Sequence, residues 1–150
     1  MMEGMSCVLR ASGTTFDVDR YLTQTELSPV VIRVFRQGER DWPGQKLPHD
    51  SSGLNLRASE AEFSALSTQI DDTLTFLDTY AADLRLLTSF PGVEDIVLDF
   101  GIEDRDVAAQ ADYFPPGLLQ RMGALNIGLV VSRYPPDVPE SSIEMVNSVP

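Results

Sequence analysis

Residues 59–87 read SEAEFSALSTQIDDTLTFLDTYAADLRLL. Phe63, Leu66, Ile70, Leu74, Leu77, Ala81 and Leu84 recur every three or four positions. That spacing lays one apolar stripe along one face of a helix. Asp71, Asp72, Asp78 and Asp83 lie mostly off the stripe. Ser59 and Glu62 have the spacing of a capping box, in which each side chain satisfies the other's free backbone N–H, so the helix is expected to start at Ser59. Unbroken to Leu87, it would run roughly 43 Å at 1.5 Å per residue. That is long for one domain, so a break is expected near Thr79–Asp83.

On the N-terminal side, Met5–Ala11 reads as a first strand closed by Ser12-Gly13, and Phe16–Leu27 as a helix of about three turns with Asp17 near its start and Pro29 beyond its end. Val30–Arg36 is rich in β-branched residues, as strands are. Gln37–Gly53 holds two Pro, three Gly, Trp42 and His49 without periodicity. It reads as a long loop or irregular hairpin connection, of a length often functional or mobile. Leu54–Arg57 alternates as a short strand. On the C-terminal side Pro91-Gly92 makes a turn and Val93–Gly101 a strand. Glu103–Asp112 is acidic and weakly patterned. Pro115-Pro116 open a helix with Leu118, Leu119, Met122 and Leu125 on its buried side, and Ile127–Tyr134 is the last strand. Pro135–Pro150, with four Pro and three acids, reads as a tail or loosely docked arm.

The expected class is therefore α+β: a split β-α-β-β-α-β, ferredoxin-like arrangement with an added α-β unit and helices on one face of a mixed sheet. Residues 1–134 form one domain, a usual size for 150 residues, and 135–150 a Pro-rich acidic tail. No apolar run reaches the ~20 residues that span a bilayer, and the first residues lack the pattern of a signal peptide. A single cysteine, Cys7, excludes an internal disulfide. A bacterial cytoplasmic setting, away from membranes, is expected.

The net charge of −12 is unevenly placed. Residues 1–57 balance seven basic against seven acidic side chains, whereas residues 58–150 set sixteen acids against four Arg. A charge of this sign repels phosphate backbones, so nucleic acid is not an expected partner. It serves solubility or a basic partner protein.

Side chains alternate across a strand. With Cys7, Leu9 and Ala11 facing the helices, Val8 and Arg10 face away. The same parity sends Val30, Ile32 and Val34 inward and Val31, Arg33 and Phe35 outward. It places Leu54, Leu56, Ile96, Leu98 and Phe100 inward, and Asn55, Arg57, Val97 and Asp99 outward. The candidate binding face thus carries Arg10, Arg33, Phe35, Arg57 and Asp99. Three readings stand open: a solvated amphipathic sheet with Arg stems lying over Val and Phe, a protein interface pairing an apolar centre with Arg, or an anion site holding a carboxylate or phosphate in Arg forks. The face is also suited to forming a two-fold homodimer.

Catalytic signatures are missing. The sole histidine, His49, lies in the irregular loop and reads as a surface residue. Cys7 reads as a buried small hydrophobe, so a Cys7–His49 dyad has little behind it. Glu103, Asp104, Asp106 and Asp112 lack the spacing of a calcium loop and read as a solvated acidic loop. Phosphate-binding glycine loops are absent, and no metal or cofactor is expected. Trp42 reads as an anchor packed on the sheet edge. Asp99, near the end of its strand, is the residue an unfamiliar enzyme would use, or else caps the turn at Gly101.

Several pieces, Gly53-Leu54-Asn55-Leu56, Ala58-Ser59, Gln69-Ile70, Phe76-Leu77, Pro91-Gly92-Val93-Glu94, Leu98-Asp99-Phe100-Gly101, Pro115–Leu119 and Ile127–Pro135, together resemble small uncharacterised bacterial proteins similar to those grouped as the domain-of-unknown-function family numbered 4279. The resemblance covers roughly residues 5–135 and implies an α+β fold and a bacterial cytoplasmic setting. Some proteins of this general type look like immunity or contact-inhibition partners. The expected function is a non-enzymatic protein-interaction domain, an immunity or antitoxin-like partner of a basic protein, with a small-ligand or anion-binding domain as the alternative.

Overall fold

The computed structural model describes residues 5–136; the tail expected over 135–150 lies outside them from residue 137 on. The chain runs β1 (Cys7–Gly13), α1 (Val18–Thr23), a 3-10 turn (Ser28–Val30), β2 (Val31–Phe35), β3 (Ser52–Ser59), α2 (Leu66–Thr79), α3 (Ala81–Ser89), β4 (Asp95–Glu103), α4 (Pro116–Ala124) and β5 (Gly128–Tyr134). The five strands form one mixed sheet in the order β2-β3-β1-β4-β5. Every pairing is antiparallel except β4 with β5. The α+β class expected from the sequence is what the chain adopts. None of the helices among the described residues is long and apolar enough to cross a membrane.

The core lies between the helices and one face of the sheet. Leu9, Leu54, Leu56, Leu98 and Phe100 are fully buried there beneath Tyr21, Leu77, Leu84, Leu87 and Leu118. All four helices among the described residues contribute to this single cluster, so among those residues the opposite face carries no helix. At one end of the core, Phe16, Tyr21 and Phe90 meet edge to face or tilted, at 5.3–6.0 Å between centroids. The Tyr21 hydroxyl donates to the Asp83 carbonyl at 2.6 Å, giving the buried polar tip its partner.

Several boundaries differ from expectation, each for a local reason. The first helix covers six residues rather than three turns. Asp17 caps it by accepting from the Arg20 N–H, and Thr23 and Thr25 end it by bonding the Arg20 and Leu22 carbonyls. The second helix begins at Leu66, not at Ser59. Ser59 still belongs to β3, and its hydroxyl donates to Asp72 at 2.8 Å while accepting from the Ala61 N–H. No capping box forms. The expected break falls at Tyr80, between α2 and α3.

The C-terminal half is punctuated by two left-handed residues. Gly92, at φ 90°, takes the third position of the Phe90-Pro91-Gly92-Val93 turn, where a positive φ is required. Asn126, at φ 57°, ends α4. The Ile127 N–H returns to the Met122 carbonyl and the Asn126 N–H to the Gly123 carbonyl, the paired bonds of a Schellman stop. On α4 itself Leu118 and Met122 are buried, but Leu119, expected beside them, is exposed.

Candidate functional site

Strand parity holds for the residues assigned on β1, β3 and β4, although an irregularity between Cys7 and Val8 on the β1–β3 ladder leaves Ala58 and Ser59 both buried, and it slips on β2. A bulge between Val31 and Arg33 places Val31 opposite Leu56, so Val31 packs on the core and Ile32 does not join it. This reverses the inward Ile32 and outward Val31 expected from strict alternation. Arg33 and Phe35 keep their outward parity, opposite Asn55 and Gly53. The last strand, apolar at both parities and so unassignable from sequence, aligns Val130 with Asp99 and Ser132 with Gly101 on the helix-free face.

At the centre of that face Arg10 forms an ion pair with Asp99. The other Asp99 oxygen accepts from the Ser132 hydroxyl at 2.7 Å. Asp99 is only 8% exposed and Val8, its neighbour on β1, is also buried. The Arg10 side chain and the polar groups around it therefore form a lid over the middle of the sheet. Tyr134 belongs to the same cluster. Burial raises its phenol above the usual range, with the Asp99 charge adding to the shift and Arg10 opposing it. Its ring stacks on Phe63 at 4.5 Å, nearly parallel. Phe63 in turn lies over Gly101, where a Cβ would come within 2.8 Å of the ring. Asp99 is thus neither a turn cap nor solvated: it is a mid-strand carboxylate held by a cation and a hydroxyl.

Arg33 and Phe35 sit toward the β2 edge with the connection that follows them. Arg33 lies 5.4 Å from the Phe35 ring and pairs with Asp41 at 2.5 Å. Asp41 also bonds His49 at 2.9 Å, whose ring tilts against Phe35 at 5.2 Å. The hydrogen bond from His49, followed by the pull of Arg33, holds the Asp41 carboxyl below its ordinary value. Residues 37–51 are therefore an ordered hairpin extension, with paired backbone bonds between Gly38 and His49 and between His49 and Glu39. His49 is a half-buried strut rather than a free surface residue. Trp42 is not the expected edge anchor: it is 59% exposed at the tip.

Arg57 lies apart from both groups. Its guanidinium donates to the Pro29 carbonyl at 3.0 Å and pairs with Glu60 at 3.3 Å. All three predicted arginines are engaged within the chain, each with an acidic partner, so none offers an idle fork. Arg57 itself, with Val30, Ala58, Ser59, Glu60, Asp72, Phe76 and Tyr80 among others, lines an open cleft of about 370 Å³. Two of its lining residues, Phe76 and Tyr80, meet with their rings tilted at 5.6 Å. Glu60 and Asp72 also line it, with exposed Glu62 and Asp71 close by in sequence. The cleft was not foreseen. One signal was available: Asp72, Phe76 and Tyr80 fall at i, i+4 and i+8, one line along a helix face.

The remaining chemistry is structural. Cys7 is fully buried on the helix side of the sheet. Burial, opposed by the Thr73 hydroxyl, pushes its thiol up to about 12, far from the thiolate a nucleophile needs. His49 packs with Phe35 on the helix-free face, so the two cannot form a dyad. In the loop after β4, Arg105 pairs with Asp112 and Arg133 with Asp104. Burial pushes the Asp112 carboxyl up, but bonds from Gln110 and Arg105 outweigh it and hold the group low. These acids are tied down by arginine rather than gathered for a cation. No protein-family model matches this chain, and no curated protein or solved structure matches it.

Proposed function

We propose that this chain is a non-enzymatic protein-interaction domain that takes a basic segment of a partner protein, in the manner of an immunity or antitoxin-like partner. The observation that carries the reading is the cleft between β3 and α2. Glu60 and Asp72 line it together with Phe76 and Tyr80. A lysine or arginine side chain fits that chemistry. Its charged head meets the carboxylates, and its stem or guanidinium plane lies against an aromatic ring, where cation–π contact adds roughly 0.5–2 kcal/mol. Arg57 is already committed to Glu60 and Pro29 and leaves Asp72 with one oxygen not used by Ser59. The sixteen acids of residues 58–150 extend the same field and favour fast encounter with a positive surface.

A ferredoxin-like arrangement of β1 to β4 belongs to the same reading. The order β2-β3-β1-β4 with antiparallel neighbours supports it, while β5 carries the sheet beyond that pattern.

The test is binding of Lys/Arg-rich peptides by titration calorimetry at low and moderate salt, with Asp72→Asn and Glu60→Gln. Asp72→Asn keeps a group able to bond Ser59, so the fold is retained. Each substitution is expected to weaken binding about 3- to 10-fold, the scale of one such charge of about 1 kcal/mol. Peptide affinity indifferent to both substitutions and to salt would remove the reading.

A further inference from the structure

The sheet ends on one side at β5, which among the described residues is paired only with β4. Among the described residues its outer N–H and C=O groups therefore face no strand. Natural edge strands are usually short, charged, bulged or covered, because an open edge invites another strand. β5 is seven residues long, with Arg133 as its one charged residue, and that side chain is drawn aside to Asp104 at 2.6 Å. Leu129, Val130 and Val131 are consecutive and, with Leu119 on the neighbouring α4, are 38% to 44% exposed.

Charge says what this edge can accept. The chain has 23 acidic residues, yet there is none between Asp112 and Asp137. The whole α4–β5 unit is acid-free in a protein of net charge −12. A basic partner gains nothing here and is better served elsewhere on the surface. Two copies of an acidic chain repel each other, but surface charges farther apart than about 8 Å are screened at physiological salt. They approach with least cost where the carboxylates present, Asp104 on Arg133 of β5 and Asp78 on Arg121 of α4, are each already paired with an arginine, and a two-fold contact brings the same patch of both copies together.

We propose that two copies of this chain pair antiparallel along their β5 edges into one continuous ten-stranded sheet. The edge groups of each β5 then satisfy those of the other. Val130 lies on the helix-free side of the joined sheet, and Leu129 and Val131 lie on the helix side with Leu119. The interface lies at the opposite edge of the sheet from the acidic cleft, so the proposal stands or falls apart from the function proposed above.

The experiment is light-scattering mass and sedimentation velocity of the full chain across a concentration series, alone and as Val130→Lys. Circular dichroism checks that the variant folds, and hydrogen exchange follows the β5 amides of the wild type. The wild type is expected at twice the chain mass of 16.5 kDa, with β5 amides that slow as the dimer fills. Val130→Lys places two lysines near the two-fold axis and is expected at the single-chain mass with an unchanged spectrum. A wild type that stays at one chain mass throughout overturns the proposal. Slow β5 amides in such a monomer assign the edge to a segment of the same chain, and amides that slow only with a basic peptide assign it to that partner. A dimer that survives Val130→Lys, or that forms while β5 exchanges freely, also overturns it.

Discussion

Arg10 and Asp99 share one ion pair, but breaking it from either side should cost different amounts. The Asp99 side chain is 9% exposed and the Arg10 side chain 41%. Asp99→Asn removes the charge from the buried partner and keeps an acceptor for Ser132. The freed guanidinium turns to water, so the cost is about 0.5–1.5 kcal/mol, one ordinary hydrogen bond. Arg10→Met keeps a long apolar stem over Val8 but leaves a carboxylate in the sheet with only the Ser132 hydroxyl. Breaking a fully buried pair costs about 3–5 kcal/mol; the half-wet Arg10 site brings this down to about 2–3 kcal/mol. In a chain of this size that is a fall of about 4–12 °C in the thermal midpoint. In the double variant the stranded charge is gone, so its cost should return to near that of Asp99→Asn, with a coupling of about 2–3 kcal/mol, the whole cost of Arg10→Met alone. Urea unfolding of the four proteins measures all of this, provided their slopes agree. Asp99→Asn costing as much as Arg10→Met, or no coupling, would refute the idea that Arg10 is what compensates the buried Asp99 side chain.

Two further outcomes follow from the same geometry. The Cys7 thiol, pushed up to about 12 by burial, should resist a thiol reagent at mildly alkaline pH and react only as the chain unfolds; prompt labelling of the folded protein would show that β1 opens locally. The hairpin of residues 37–51 should loosen in acid. The Asp41 carboxyl is held below its ordinary 3.8, so its contribution is complete above that value and is lost as pH falls through the depressed one. Trp42, the only tryptophan, is its neighbour and reports the change by fluorescence. Asp41→Asn should bring the same signal to neutral pH, and an acid-insensitive Trp42 would count against the strut.

Element types were legible from periodicity where an element has one buried face: the stripe from Leu66 to Leu84 on the α2–α3 pair, and the alternation of Leu9, Leu54, Leu56, Ile96 and Leu98 on the strands. What alternation could not carry was a change of count. The bulge before Arg33 inserts one residue into β2, and nothing in Val30-Val31-Ile32 distinguishes the inward residue from the outward one. Ser59 illustrates another limit. Its spacing to Glu62 satisfies a local rule, yet the hydroxyl goes to Asp72, thirteen residues on, and β3 keeps the backbone extended. The candidate face was legible as a list of outward residues but not as a site, because the partners that occupy Arg33 and Arg57 come from the hairpin and from the turn after β3.

The two proposed contacts also constrain each other. The cleft lies against β3, and β5 is three strands away across β1 and β4. In a β5-paired dimer the two β3 strands would be seven strand spacings apart, roughly 34 Å at 4.8 Å per strand. A single short basic peptide cannot reach both clefts, whereas a basic protein with two such segments, or a dimer of one, can. Bridging would then make the second contact intramolecular and raise the apparent affinity well above that of one cleft. Val130→Lys separates the cases. It should leave the affinity of a single peptide unchanged and abolish only the gain seen with a tandem ligand long enough to span the pair. A tandem gain that persists in the monomeric variant would mean that one chain holds both segments, and that the acidic surface outside the cleft, not a second copy, supplies the other site.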